Sequence, residues 1–160
     1  MSEVESRLEA LGLKLPEPTK PAANYVGAVR TGNLIYLSGH GPRPDPERAF
    51  IGKVGADLNV DRAYDAARVV MLNCLSTLKA EIGDLDRVRR VVKVLGMVNS
   101  APGFGEQPKV INGASDLLVD IFGDRGRHAR SAVGMAELPV GIAVEIEMIV
   151  EVEEEPTAKA

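Results

Sequence analysis

The sequence predicts a single α+β domain in which a mixed β-sheet carries two helices on one face. Two stretches repeat apolar residues at helical spacing, and β-prone runs lie before, between and after them. The resulting order is strand hairpin, helix, strand, helix, strand hairpin, which suits helices gathered on one side of a sheet. A length of 160 residues with 45% hydrophobic content is enough for one real core.

Residues 1–22 read as an N-terminal arm. A short helix is expected over residues 4–11, capped by Ser2 and ended by Gly12. Residues 15–21 hold three prolines and read as an extended connector. The domain proper is expected over residues 23–152. It opens on a hairpin, residues 25–29 and 34–38, turning through Gly32-Asn33. Gly39 to Gly41 then give a loop whose backbone can approach a ligand closely. No Lys-Ser/Thr ending follows, so it is not a P-loop. Residues 50–54 suggest a further short strand.

Residues 60–82 are the clearest helix. Ala63, Ala66, Ala67, Val70, Met71, Cys74, Leu75, Leu78 and Ile82 form its apolar stripe, with Asn59 as N-cap and Gly83 as C-cap. The valine-rich residues 87–98 read as an interior strand. After a loop over residues 99–108, a second helix carries Val110, Ile111, Ala114, Leu117, Leu118, Ile121 and Phe122, and stops at Gly123. A second hairpin is expected, with arms over residues 131–138 and 142–152 and a turn at Pro139-Val140-Gly141. In its second arm Val144, Ile146, Met148, Val150 and Val152 share one face, while Glu145, Glu147 and Glu151 share the other. Residues 153–160 read as a disordered tail. Ala132, Gly134, Ala136 and Ala143 are small enough to suggest close packing of another subunit on the sheet, hence a homo-oligomer.

Composition excludes several functions. The net charge of -4 and the 4% aromatic content argue against nucleic-acid binding. One local basic cluster stands out at Arg125, Arg127, His128 and Arg130. No apolar run is long enough to span a bilayer, and the acidic start lacks the features of a signal peptide, which predicts a cytoplasmic chain. Cys74 has no cysteine partner, and it lies on an apolar stripe, so it reads as a buried filler. With His40 and His128 as the only histidines, no metal site and no cofactor are expected.

The chemistry points to Arg130 and Glu145. An arginine at the mouth of a strand offers a fixed fork of donors that grips a carboxylate. A glutamate within an apolar strand is costly unless solvated or paired, and burial would raise its pKa toward proton-transfer work. An exposed arginine and a wet glutamate ladder would explain the same residues. On the expected hairpin, Glu145 stands opposite Gly134 or Met135, with Arg130 roughly 13 Å further along.

The motif Ala129-Arg130-Ser131-Ala132-Val133, then Leu138-Pro139, then Val144-Glu145-Ile146-Glu147, resembles the Rid/YjgF family of reactive-intermediate deaminases, also called endoribonuclease L-PSP proteins. Tyr25, the run from Gly32 to Gly39, and Val110-Ile111-Asn112 extend the resemblance over roughly residues 23–152. It implies a chorismate-mutase-like (YjgF-type) fold that trimerises through its sheet, with ligand clefts between subunits. It also implies hydrolysis of small enamine or imine carboxylates, such as 2-aminoacrylate, to keto acids and ammonia without a cofactor. Arg130 matches the arginine that binds the substrate carboxylate, and Glu145 the glutamate that positions water. Tyr25, Ser38, Gly39 and Asn112 match residues lining the cleft. His40 stands where many relatives carry glutamine. Two alternatives stay open: a non-catalytic module that binds small carboxylates for regulation, and an endoribonuclease, against which stand the charge and the lack of a histidine pair.

Overall fold

A computed structural model describes residues 2–21, 23–43 and 50–154. The described residues form three α-helices: α1 (Glu3–Ala10), α2 (Val60–Ile82) and α3 (Gln107–Phe122). Local chemistry sets their ends. The Ser2 hydroxyl accepts from the Glu5 amide at the start of α1, and the Asn59 side chain accepts from the Arg62 amide at the start of α2. Pro108 sits in the first turn of α3, where its missing N–H leaves no bond unmade. Gly83 and Gly123 close α2 and α3 with positive φ, a region side chains avoid. None of these helices is long and apolar enough to cross a membrane.

The described residues also form five strands, β1 (Ala28–Thr31), β2 (Leu34–Leu37), β3 (Val88–Asn99), β4 (Ala129–Met135) and β5 (Val144–Val152), in the spatial order β1-β2-β5-β3-β4. β1 and β2 form the expected hairpin, although β1 starts at Ala28 and leaves Tyr25 and Val26 in the preceding loop. Residues 50–54 make only isolated bridges, Ile51 to Ile142 and Val54 to Leu58 and Ser100, rather than a strand. The expected tail falls largely on residues 155–160, which lie outside the described residues, as do Met1 and Ala22 of the arm.

The second hairpin does not form. β4 pairs parallel with β3, and β5 inserts between β3 and β2, antiparallel to both. The reason is visible in the side chains. β5 buries Val144, Ile146, Met148, Val150 and Val152 beneath the helices, so it belongs at the centre. β4 carries small and polar residues that suit an edge. A strand, a helix and a strand in succession also favour a parallel crossover, here β3, α3 and β4.

The small residues of the two strands do not open the sheet to a second copy. Ala132 packs against the core, Ala143 is fully buried, and a Cβ on Gly134 would meet Ser100 and Gln107. Ala136 is exposed beyond the end of β4. On the uncovered face stand larger apolar groups instead: Val29, Tyr36, Val133 and Met135, each between 36% and 55% exposed.

Two glycines let α3 settle closely. A Cβ on Gly96 of β3 would come within 2.5 Å of the Ile111 side chain, and one on Gly113 within 2.1 Å of the Tyr64 carbonyl oxygen in α2. The second obstacle is backbone and has no rotamer to escape into. Gly113→Ala is therefore expected to cost about 1–3 kcal/mol, the usual range for overpacking, read as a lower urea midpoint. Gly105→Ala, with open space around it, is expected to leave that midpoint unchanged.

Candidate functional site

Arg130 lies in register with Val94, a fully buried residue of β3, so its side chain leaves the sheet on the helix-covered side. There its Nη1 donates to Asn112 Oδ1 at 2.8 Å and to Ser115 Oγ at 3.0 Å, and Nη2 reaches the Pro108 carbonyl at 3.4 Å. Asn112 and Ser115 are three apart and share one face of α3. Ser115 Oγ also lies 3.0 Å from His128 Nε2, and His128 Nδ1 lies 2.6 Å from the Gly126 carbonyl. A carbonyl can only accept, so Nδ1 carries the proton and Nε2 accepts from Ser115. The serine hydroxyl thus donates to His128 and accepts from Arg130. Burial pushes the His128 pKa down, the Gly126 hydrogen bond opposes this, and the Arg130 cation adds to the lowering. No carboxylate among the described residues pairs with Arg130.

Glu145 occupies the other face. Its partner in β3 is Met97, and it alternates with the buried Val144 and Ile146. It is half-buried, and burial first, then the charge of Glu147, raises its pKa. A Cβ on Gly39 would fall 2.1 Å from Glu145 Oε1, so the carboxylate rests against the bare backbone of Gly39. Next to it His40 exchanges two backbone hydrogen bonds with Ile146, both 2.9 Å. The His40 ring is buried. Its Nδ1 donates to the Ser38 carbonyl at 2.7 Å, and its Nε2 accepts from the Thr77 hydroxyl at 2.8 Å. Burial lowers its pKa, opposed by the bond to Ser38. His40 is therefore a neutral strut between the loop and α2. Tyr25, Ser38, Gly39 and His40 border a cavity of about 280 Å³, together with Lys20, Arg43, Val140 and Ile142.

The sequence-derived residues thus form two groups. Arg130 and Asn112 stand with α3; Tyr25, Ser38, Gly39 and Glu145 stand at the loop after β2. The residue of β5 in line with Arg130 is Met148, through Val94, and Glu145 lies three positions from it. An odd offset reverses the face of a strand. Two strand spacings and three residues of rise separate the two backbones by about 14 Å. The separation resembles that expected from a hairpin, but its cause differs, and within one chain the sheet stands between the two side chains. Ser115 and the His128 acceptor were not anticipated, although the spacing of Asn112 and Ser115 could have placed them together. The remaining basic cluster disperses. Arg125 donates to the Val88 carbonyl at 2.8 Å, and Arg127 pairs with Asp124. Cys74 is fully buried, and burial pushes its thiol pKa far up.

Residues 5–151 match the family model described as "YjgF/chorismate mutase-like, putative endoribonuclease". Protein TCP17 of Trypanosoma cruzi is 48% identical over 149 residues, covering 92% of this chain and 93% of that protein. A 2-iminobutanoate/2-iminopropanoate deaminase of Dermatophagoides farinae is 26% identical over 146 residues, covering 88% and 95%. The crystal structure of Atu1372 from Agrobacterium tumefaciens, a protein of unknown function, superposes with a TM-score of 0.85 at 46% identity, covering 94% of this chain and 92% of that one. With the match spanning nearly the whole chain and the mixed five-stranded sheet in place, the chain belongs to the Rid/YjgF family.

Proposed function

We propose that this protein hydrolyses small enamine or imine carboxylates to keto acids and ammonia, in clefts formed between the subunits of a homotrimer. The observation that carries the proposal is the separation of Arg130 and Glu145 by their own sheet. Two groups that cannot meet within a chain can meet when Arg130 of one copy faces Glu145 of the next. The apolar side chains on the uncovered face give such copies a surface to join. The deaminase from Dermatophagoides farinae lends the reaction its class.

In this mechanism Arg130 grips the substrate carboxylate, its guanidinium already oriented by Asn112 and Ser115. The enamine reacts as its imine tautomer. Glu145 takes a proton from water as the oxygen bonds to the imine carbon, and gives that proton to the nitrogen as the C=N bond becomes single. Transfer of the hydroxyl proton to nitrogen then breaks the C–N bond. Ammonia leaves, and the carbonyl remains. The raised pKa of Glu145 makes it a better base than an ordinary carboxylate.

The test is to generate 2-aminoacrylate with a dehydratase and follow pyruvate. Arg130→Ala is expected to lower kcat/KM by about 100-fold or more. Pyruvate rates unchanged by the protein would remove the enzyme reading, and keto-acid binding without turnover would leave a regulatory carboxylate-binding module. Gly39→Ala is expected to displace the flexible Glu145 carboxylate, so activity falls while the melting temperature holds.

The pH dependence follows from the sign of the Glu145 shift. Activity needs the ionised form and is lost as pH falls through the raised pKa, so the acid limb lies above 4.5, the ordinary value for glutamate. The burden of the buried charge on the fold is present above that pKa and relieved below it. Glu145→Gln at neutral pH is accordingly expected to abolish turnover yet melt no lower than the parent, which a thermal scan beside the rate assay checks.

A further inference from the structure

His128 takes no part in the proposed mechanism, yet it is joined to a residue that does. Its ring is half-buried beside α3. The Ser115 hydroxyl lies 3.0 Å from His128 Nε2 and 3.0 Å from Arg130 Nη1. The ring and the guanidinium thus meet across one oxygen atom, their nitrogens within about 6 Å, a range at which charges interact strongly away from bulk water. Arg130 Nη1 commits its two hydrogens to Asn112 and Ser115. The side-on edge, Nε with Nη2, holds only the 3.4 Å contact with the Pro108 carbonyl among the described residues. A carboxylate has that edge to dock on, so ligand and ring reach the guanidinium through different atoms.

Among the described residues the other charges near the ring are turned elsewhere. On α3, Asp116 accepts from the Tyr64 hydroxyl at 2.9 Å, and Asp120 lies one turn further along that face. In the turn Gly123–Gly126, Asp124 pairs with Arg127, and Arg125 donates to the Val88 carbonyl. On β3, Lys93 donates to Ser131, which leaves β4 on the face opposite to Arg130. Arg130 is accordingly the charge that acts on the ring, and it lowers the His128 pKa further after burial has done so. Protonation of the ring would not break the network. Nδ1 keeps the Gly126 carbonyl. Nε2 turns from acceptor to donor, and Ser115 Oγ has two lone pairs, one for the ring and one for Arg130. The serine proton can turn back to the carbonyl one helical turn earlier. What changes is the charge, because a second cation then stands behind Arg130.

We propose that His128 acts through Ser115 as the proton-linked member of the Arg130 site, so that a carboxylate settling on Arg130 brings a proton onto the His128 ring. This rests on the reading of Arg130 as the group that holds the substrate carboxylate. The charge of the ligand offsets that of Arg130, the neighbour that disfavours a charged ring. By reciprocity, a protonated ring strengthens carboxylate binding. The His128 pKa in the free protein lies below 6.5, the ordinary histidine value, and ligand raises it. The gain in affinity is therefore absent well above the ligand-bound pKa, grows as pH falls through it, and is complete below the free one. His128 touches no reacting atom and is a positioning residue. It acts on KM, whereas protonation of Glu145 acts on kcat.

The experiment is calorimetric titration of the full chain with 2-oxobutanoate at about pH 8 and about pH 5.5, each in two buffers of different ionisation enthalpy. Binding to the parent is expected to tighten about fivefold or more on acidification, with net uptake of protons. His128→Gln keeps an acceptor for Ser115 but has no proton to gain, so its affinity is expected to stay flat over that range and the uptake to vanish. Glu145→Gln is expected to retain both, which separates His128 from the carboxylate proposed to share the cleft. Equal affinity at the two pH values, or uptake that persists in His128→Gln, overturns the linkage; if 2-oxobutanoate binds and Arg130→Ala weakens it, the deaminase reading stands. Binding indifferent to Arg130→Ala removes the role given to Arg130 and the linkage with it, as does absence of binding. A proton NMR titration of the parent needs no variant to fold. The chain has two histidines, and 2-oxobutanoate is expected to raise the titration midpoint of one of them; ligand that leaves both midpoints in place sinks the proposal.

Discussion

The alternation along β5 governs this molecule. Five apolar side chains from Val144 to Val152 are buried beneath α2 and α3, and the glutamates between them have no choice but the other face. A shift of one residue would bury Glu145, Glu147 and Glu151 together and expose the centre of the core, so the register is fixed by a penalty no local adjustment can relieve. β4 is held to β3 in a parallel register that puts Arg130 over α3. The division of the two key side chains between opposite faces is thus a consequence of how the core is built.

Each half of the site is held by paired polar groups, half-exposed beside α3 and buried along α2. On one side His128, Ser115 and Asn112 orient the Arg130 guanidinium through a chain of hydrogen bonds that leaves donors free for a ligand. On the other, α2 presents a buried polar row. Thr77 holds the His40 ring, the Asn73 amide donates to the Gly41 carbonyl at 2.9 Å, and the Ser76 hydroxyl donates to the Pro16 carbonyl. The loop after β2 and the N-terminal arm are therefore tied to the same helix. Buried networks satisfied in this way are rigid, which is what an adjacent reaction site needs from its support.

Much of the fold was legible because it depends on local signals. The limits of α2 could be read from Asn59, from the apolar stripe and from Gly83, and α1 from Ser2 and Gly12. The faces of β5 could be read from strict alternation. The β1–β2 pairing was legible from Gly32-Asn33, but that of β4 and β5 was not. Residues 139–141 look like a hairpin turn, yet they form a 3-10 turn in which Val140 has a positive φ of 50°, and the chain passes on to pair with β3. The competing signal was the helix between β3 and β4, which favours a parallel neighbour. The site was legible as residue types but not as an arrangement. The partnership of Ser115 with Arg130 and His128 exists only once β4 lies beside α3.

A site split in this way separates preorganisation from assembly. Arg130 is oriented within its own chain by α3, so little of its side-chain entropy remains to be lost when copies meet or ligand binds, while Glu145 is only seated against Gly39. What a single chain lacks is proximity, and no rotamer supplies it across the sheet. Under the proposed mechanism catalysis therefore becomes a property of the assembled sheet surfaces, and Val29, Tyr36, Val133 and Met135, which touch no reacting atom, matter to turnover as much as the glutamate beside them.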